Sequence, residues 1–255
     1  MSPSWSPVFR IIIAVRQTGQ MDASFRLARA FEDGERVIEL TAANPDAGVP
    51  NCPDWDGRAL ASHMARVWHM LSVIVEHGLD SFPGREMFPE KVVGGEFDAA
   101  RTALERVDAH MRVLEPGAPH WSWATTQTTD FYIRRLHLEN LVHRIDAEQM
   151  AGVASEIDGD EAADAVDERL IEFAPLRAGR PAGSLHVHRT DGAGEWTIKV
   201  DGDVIVATRE HAKGDAAVRG TGVDLMLAVW GRGTLEPLET FGDPALVTEW
   251  FELTR

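Results

Sequence analysis

The chain is poor in cysteine, tyrosine and positive charge: one Cys and one Tyr in 255 residues, with 25 Lys and Arg against 41 Asp and Glu. A single cysteine, Cys52, excludes an internal disulfide and suits a reducing compartment, so a cytoplasmic location is expected. The deficit of basic side chains leaves a formal net charge of −16. Such a surface repels polyanions, so neither nucleic acid nor an anionic membrane is expected as a partner. Long apolar runs are also missing. The stretch "IIIAV" near the N-terminus falls far short of the roughly 20 residues of a membrane-spanning helix. No small-residue cleavage site follows it, so it does not read as a signal peptide either. Because a helix-like segment opens just after Met21, residues 1–20 read as an N-terminal extension, either an over-extended start or a loose arm.

What is present is apolar material for a substantial core. At 44% hydrophobic residues the chain can fill one large domain or two ordinary ones. Residues 21–153 have helical texture. Leu27, Phe31, Gly34 and Ile38 recur on one helix face, ending before the turn-rich "AANPDAGVPNCPDW". A second helix is expected from an Asp56 N-cap to His77, stopped by Gly78, with Leu60, His63, Val67, Met70 and Ile74 on one side. A third spans about Phe97 to Val113, and a fourth starts at Thr128 or Thr129. Four such helices predict a bundle, whose core is a common place for metal ligands.

Residues 154–255 change character. A helix is expected over about 160–174, and "GSLHVHRTD", "EWTIKV" and "VDGDVIVATR" carry the alternation and turn chemistry of antiparallel strands. A last helix, "TGVDLMLAVWGR", follows. The fold class predicted is therefore α+β in two domains: a helical bundle, then an α/β domain with an antiparallel sheet.

The fourth helix poses a chemical question. In "LHLENLVHRIDAEQ" the core-facing side that starts at Leu136 also carries Glu139 and His143, one turn apart. Both side chains can reach a single point, and His63 on the second helix can supply a third arm. Two imidazoles and one carboxylate suit Zn²⁺ with a position left open for water or substrate. The same spacing also allows a Glu–His hydrogen bond, or pairing of Glu139 with Arg134, Arg135 or Arg144, because a buried carboxylate needs some partner. Spacing alone leaves both readings standing. Other residues offer less. Cys52 has no base partner in the pattern and reads as a small buried side chain. His69 and His137 fit either as residues lining a cavity or as ordinary helix-surface residues. His186 and His188 alternate with Leu185 and Val187 as an exposed strand face would. Asp146 reads as a supporting or capping group, and "DGDEAADAVDE" as a solvated acidic helix face.

Taken together, "CPDWDGRALASHMARV", "RRLHLENLVHRIDAE" and "REHAKGDAAVRGTGVDLMLAVWGR" resemble the mycothiol-dependent maleylpyruvate isomerase family, over most of the chain from Met21 onward. The resemblance implies a DinB-like four-helix bundle with zinc held by His63, Glu139 and His143. It also implies a sterol-carrier-like C-terminal domain that contributes an essential arginine, for which Arg232 in "WGRG" fits best and Arg219 in "AVRG" is the other candidate. The implied activity is activation of a low-molecular-weight thiol, mycothiol, for attack on a small electrophilic and anionic substrate, as an isomerase or an S-transferase. Two alternatives stand beside it. One is a metal-dependent hydrolase, or a transferase using another thiol, on the same bundle. The other is a non-catalytic small-ligand-binding protein whose metal is structural.

Overall fold

The computed structural model describes residues 21–88 and 95–254; the extension expected over residues 1–20 lies outside them. The chain divides into two compact units. The first takes the residues up to Pro45, Arg58–Trp121 and Thr128–Arg144; the second takes Asp46–Gly57, Ser122–Gln127 and everything from Ile145 onward.

The first unit is built on four helices. Helix α1 (Ala23–Ala43) starts where the Asp22 carboxylate accepts the Phe25 N–H at 2.8 Å, satisfying one of the donors that a helix start leaves over. Helix α2 (Gly57–His77) begins directly after Asp56 and ends at Gly78, whose φ of +55° lies in the left-handed region that glycine adopts without penalty. Helix α3 (Glu96–Arg112) and helix α4 (Thr129–Met150), whose residues from Ile145 onward fall in the second unit, complete the set.

Helix α4 is enclosed almost all round. Leu136, His137, Leu138, Asn140, Leu141, Val142, Asp146 and Ala147 are each at most 1% exposed. Of the two positions the sequence left open for His137, the structure gives the inward one, and its Nδ1 lies 3.4 Å from Arg26 Nη1 on α1. Asn140 shows how a polar group survives at that depth: its Oδ1 accepts the Trp68 indole N–H from α2 at 2.8 Å, and its amide donates to the Ala30 carbonyl of α1 at 2.7 Å. Both bonds are buried, so each removes a desolvation cost on both partners. Gly34 of α1 lies against the same place: a Cβ there would fall 2.7 Å from Leu104 Cδ1 and 3.1 Å from Asn140 Nδ2. The absent side chain lets the α1 backbone approach α3 and α4.

The second unit contains a short β1–β2 hairpin (Gly48–Val49, Cys52–Asp56) and a five-stranded sheet of β3 (Leu185–Arg189), β4 (Glu195–Asp201), β5 (Val204–Thr208), β6 (Ala216–Gly220) and β7 (Glu239–Gly242). The sheet order is β5-β4-β3-β6-β7. Strands β3, β4 and β5 form an antiparallel meander, and β7 pairs antiparallel with β6, but β3 and β6 run parallel. A parallel neighbour requires a crossover, so the chain leaves the β5 edge and passes β4 and β3 before entering β6. Helices α5 (Gly159–Asp167, extended by a π-helical turn over Glu168–Phe173), α6 (Gly222–Val229) and α7 (Pro244–Thr254) belong to this unit.

The acidic stretch over α5 is only in part the solvated face the sequence suggested: Asp158 and Asp160 are exposed, but Glu161 and Glu168 are 2% and 0% exposed. Its carboxylates, from the 69%-exposed Asp160 to the enclosed Asp167, act as hydrogen-bond acceptors. Asp167 takes the Trp196 indole N–H at 2.8 Å, Asp160 pairs with Arg189 at 2.7 Å, and Glu172 accepts the backbone N–H groups of Thr125 and Thr126 at 2.8 and 3.0 Å. Among the described residues no helix is long and apolar enough to cross a membrane.

Candidate metal centre

His63, from the middle of α2, and Glu139 and His143, one turn apart on α4, converge: one ligand atom from each lies within 4.8 Å of the other two. Glu139 Oε1 is 3.4 Å from His63 Nε2 and 3.4 Å from His143 Nε2. The rings stand 4.8 Å apart at 62° to each other. A separation of 3.4 Å exceeds a good N–H···O hydrogen bond. It is the distance expected between two ligands of one tetrahedral ion, since bonds of 2.0–2.2 Å place neighbouring ligands roughly 3.4 Å apart. The three residues thus fit a divalent cation, with Glu139 at the apex between two imidazoles. The side chains of His143, Glu139 and His63 are 7%, 15% and 31% exposed, so the cluster opens progressively toward His63.

The second oxygen of Glu139 has a different partner. Oε2 pairs with Arg135, four residues earlier on the same helix. Burial alone would push the Glu139 carboxyl upward, but the Arg135 guanidinium and the two imidazoles outweigh it and hold the group well below the usual carboxylate range. Glu139 is therefore an anion at any physiological pH, which is the form that ligates metal. An arginine thus secures one carboxylate oxygen while the other faces the imidazoles.

In the second unit, Arg232 follows α6 directly and grips Asp146 with Nε at 3.1 Å and Nη2 at 2.7 Å, while Nη1 donates to the Trp230 carbonyl at 2.7 Å. Asp146 is fully buried and Arg232 17% exposed, so this is an internal bidentate pair. Arg219 is a different kind of residue, 45% exposed on β6 and 3.8 Å from the exposed Glu239. Cys52 lies on β2 and is half-buried, more open than expected. Burial raises its thiol pKa, Asp146 adds to that effect and Arg232 opposes it, which makes the reactive thiolate scarcer at neutral pH.

Two features leave little mark in the sequence. Nothing in the spacing singles out Arg135 from Arg134 and Arg144 as the partner of Glu139. His186 and His188 are 8% exposed and half-buried rather than an open strand face.

Comparisons with known proteins agree over both halves. Residues 27–148 match the family model described as the mycothiol maleylpyruvate isomerase N-terminal domain, and residues 160–249 match that of the MDMPI C-terminal domain. The fold is similar to crystal structures of the mycothiol-dependent maleylpyruvate isomerase and of a histidine-to-alanine mutant of it. In each case the TM-score is 0.59 at 13% identity, covering 86% of this chain and 92% of that chain. No curated protein sequence matches the chain.

Proposed function

The chain belongs to the mycothiol-dependent maleylpyruvate isomerase family, and from that premise we propose that it is a zinc-dependent enzyme acting on a small electrophilic substrate with mycothiol as cosubstrate. The observation that carries this reading is the placement of Glu139 Oε1 3.4 Å from both His63 Nε2 and His143 Nε2.

A zinc ion held by these three side chains would supply thiol activation: a free thiol has a pKa of about 8.5 and is largely protonated at neutral pH, whereas a coordinated thiol is deprotonated outright. The protein's own groups do the rest. Arg135 keeps Glu139 ionised and turns Oε1 toward the imidazoles. The exposed side of His63 leaves the approach from α2 for thiol and substrate. For a substrate with a conjugated cis double bond, the thiol sulfur adds to one alkene carbon, the bond that remains single rotates, and expulsion of the same thiol leaves the trans product with no net consumption of thiol. Arg232 is assigned to the substrate carboxylate or the enolate that develops, its plane set beforehand by Asp146 and the Trp230 carbonyl. Its buried bidentate pairing recommends it over the solvent-screened Arg219.

The test is elemental mass spectrometry of the purified protein beside its Glu139→Ala and His63→Ala variants, each checked for folding by circular dichroism, together with assay of maleylpyruvate and mycothiol. Each variant is expected to carry one zinc fewer per chain than the wild type and to lose thiol-dependent turnover. Zinc content unchanged by both substitutions would overturn the metal assignment. Thiol recovered intact after many turnovers identifies an isomerase, and thiol consumed mole for mole identifies an S-transferase.

A further inference from the structure

A second convergence of ligand-type side chains lies within the second unit. His186 and His188 sit two residues apart on β3 and so share one face of the sheet. Glu195 on β4 is the direct cross-strand partner of His188, and Thr197, two residues on, is that of His186. Above this face runs the crossover from β5 to β6. The Thr197 hydroxyl donates to the Glu210 carbonyl at 3.2 Å, which sets the next residue, His211, over the same patch. The result is a cluster drawn from two strands and the crossover. His188 Nδ1 is 2.7 Å from Glu195 Oε1, His211 Nδ1 is 2.8 Å from Oε2, and His186 Nε2 is 3.8 Å from Oε2. One ligand atom from each of the four lies within 4.8 Å of all the others.

Hydrogen bonding accounts for only part of this arrangement. Glu195 serves His188 and His211, but His186 Nε2 is buried with no hydrogen-bond partner among the described residues, on a side chain 10% exposed and aimed into the cluster. A buried ring nitrogen without a partner carries a desolvation cost that some ligand would relieve. We propose that His186, His188, Glu195 and His211 form a second site, for a divalent transition metal of the zinc class, that clamps the β5–β6 crossover onto the sheet. Three imidazoles and one carboxylate favour zinc and its neighbours over Mg²⁺ or Ca²⁺, which take oxygen ligands. Four protein ligands close the tetrahedron, so the role is structural rather than catalytic. Insertion of the ion replaces the protons shared with Glu195 and widens those contacts by about half an ångström. His211, 75% exposed on the crossover, is the ligand with room to make that adjustment.

The test separates this site from the one in the helical unit. The full chain, stripped by chelator, is titrated with Zn²⁺ against a chromogenic chelator and, separately, with Co²⁺, whose absorption reports tetrahedral coordination. The wild type is expected to bind two ions. Glu139→Ala, or His63→Ala should the first fail to fold, is expected to keep one tetrahedral ion and to gain thermal stability on adding zinc. Adding His211→Ala to that background should weaken the remaining ion at least about tenfold. A wild type that binds a single ion, lost in Glu139→Ala, overturns the inference and leaves the cluster a hydrogen-bonded network. Binding unaffected by His211→Ala in the Glu139→Ala background overturns it too. A single ion lost with His211→Ala but kept in Glu139→Ala supports this site and removes the other.

Discussion

Arg135 and Glu139 are expected to be energetically coupled, and the coupling is measurable without any metal. Arg135 is 5% exposed and Glu139 15%. Removing one member of a buried ion pair costs about 3–5 kcal/mol, because the survivor is left charged and uncompensated. Glu139→Gln keeps the shape and one acceptor, and the site is partly open, so the lower end applies, about 3 kcal/mol. At roughly 2–4 °C per kcal/mol this lowers the melting temperature by about 6–12 °C. Arg135→Met should cost less: burial then pushes the Glu139 carboxyl upward, and the group can take a proton. The double variant carries neither charge and is expected to lie within about 1 kcal/mol of wild type, since replacing both partners together is often near neutral. Urea unfolding followed by circular dichroism, in chelator at neutral pH, gives the four free energies of the cycle. A double variant whose loss equals the sum of the single losses within about 0.5 kcal/mol would refute the coupling of Arg135 to Glu139.

Asp191 Oδ1 accepts from Arg189 Nε at 2.7 Å and from the Gly222 N–H at the start of α6 at 2.9 Å; burial opposes, but these partners hold its carboxyl below the usual range. A depressed folded pKa means stability present above the ordinary carboxylate value near 4 and lost as pH falls through the lower folded value, so Asp191→Asn should cost about 1 kcal/mol at pH 7 and less at pH 3, measured by thermal melts at both values. Cys52, the only thiol in the chain, reports on the Asp146–Arg232 pair: Asp146→Asn should speed its alkylation by iodoacetamide at pH 8 and Arg232→Gln should slow it, each about two- to fivefold, and equal rates in all three proteins would count against the electrostatic contacts described.

The helical unit was legible because its signals are local. Asp56, Gly78 and the face of Leu60, Val67 and Ile74 place α2 within a residue, and α3 and α4 fall as close. The convergence of His63, Glu139 and His143 was readable for a related reason: an i, i+4 pair is fixed by helix geometry, and a third ligand needs only to face inward. The sequence left His137 between an inward and a surface position because α4 is buried almost all round, and a helix with little wet face has little periodicity to read. In the second unit, β6 is as long as β3 and β5, but its pairing and that of the four-residue β7 depend on a crossover that leaves no local mark; α7 went unseen with them. His186 and His188 alternate with apolar neighbours as an exposed strand face does. Only the tertiary path of the crossover, which brings His211 over them, covers that face.

The parallel pairing of β3 with β6 also bears on how the second unit refolds. Strands β3, β4 and β5 are joined by short turns, including the two-residue loop Gly202–Asp203, and such hairpins form within microseconds. The β3–β6 register, Leu185 on Ala216, waits for the whole crossover to be laid down, a non-local step that comes late. Until then the Val187 edge of β3 presents unpaired backbone groups to any other chain nearby. The interval between meander and closure is when this protein is most exposed to aggregation, and dilution during refolding should favour yield more than slower removal of denaturant.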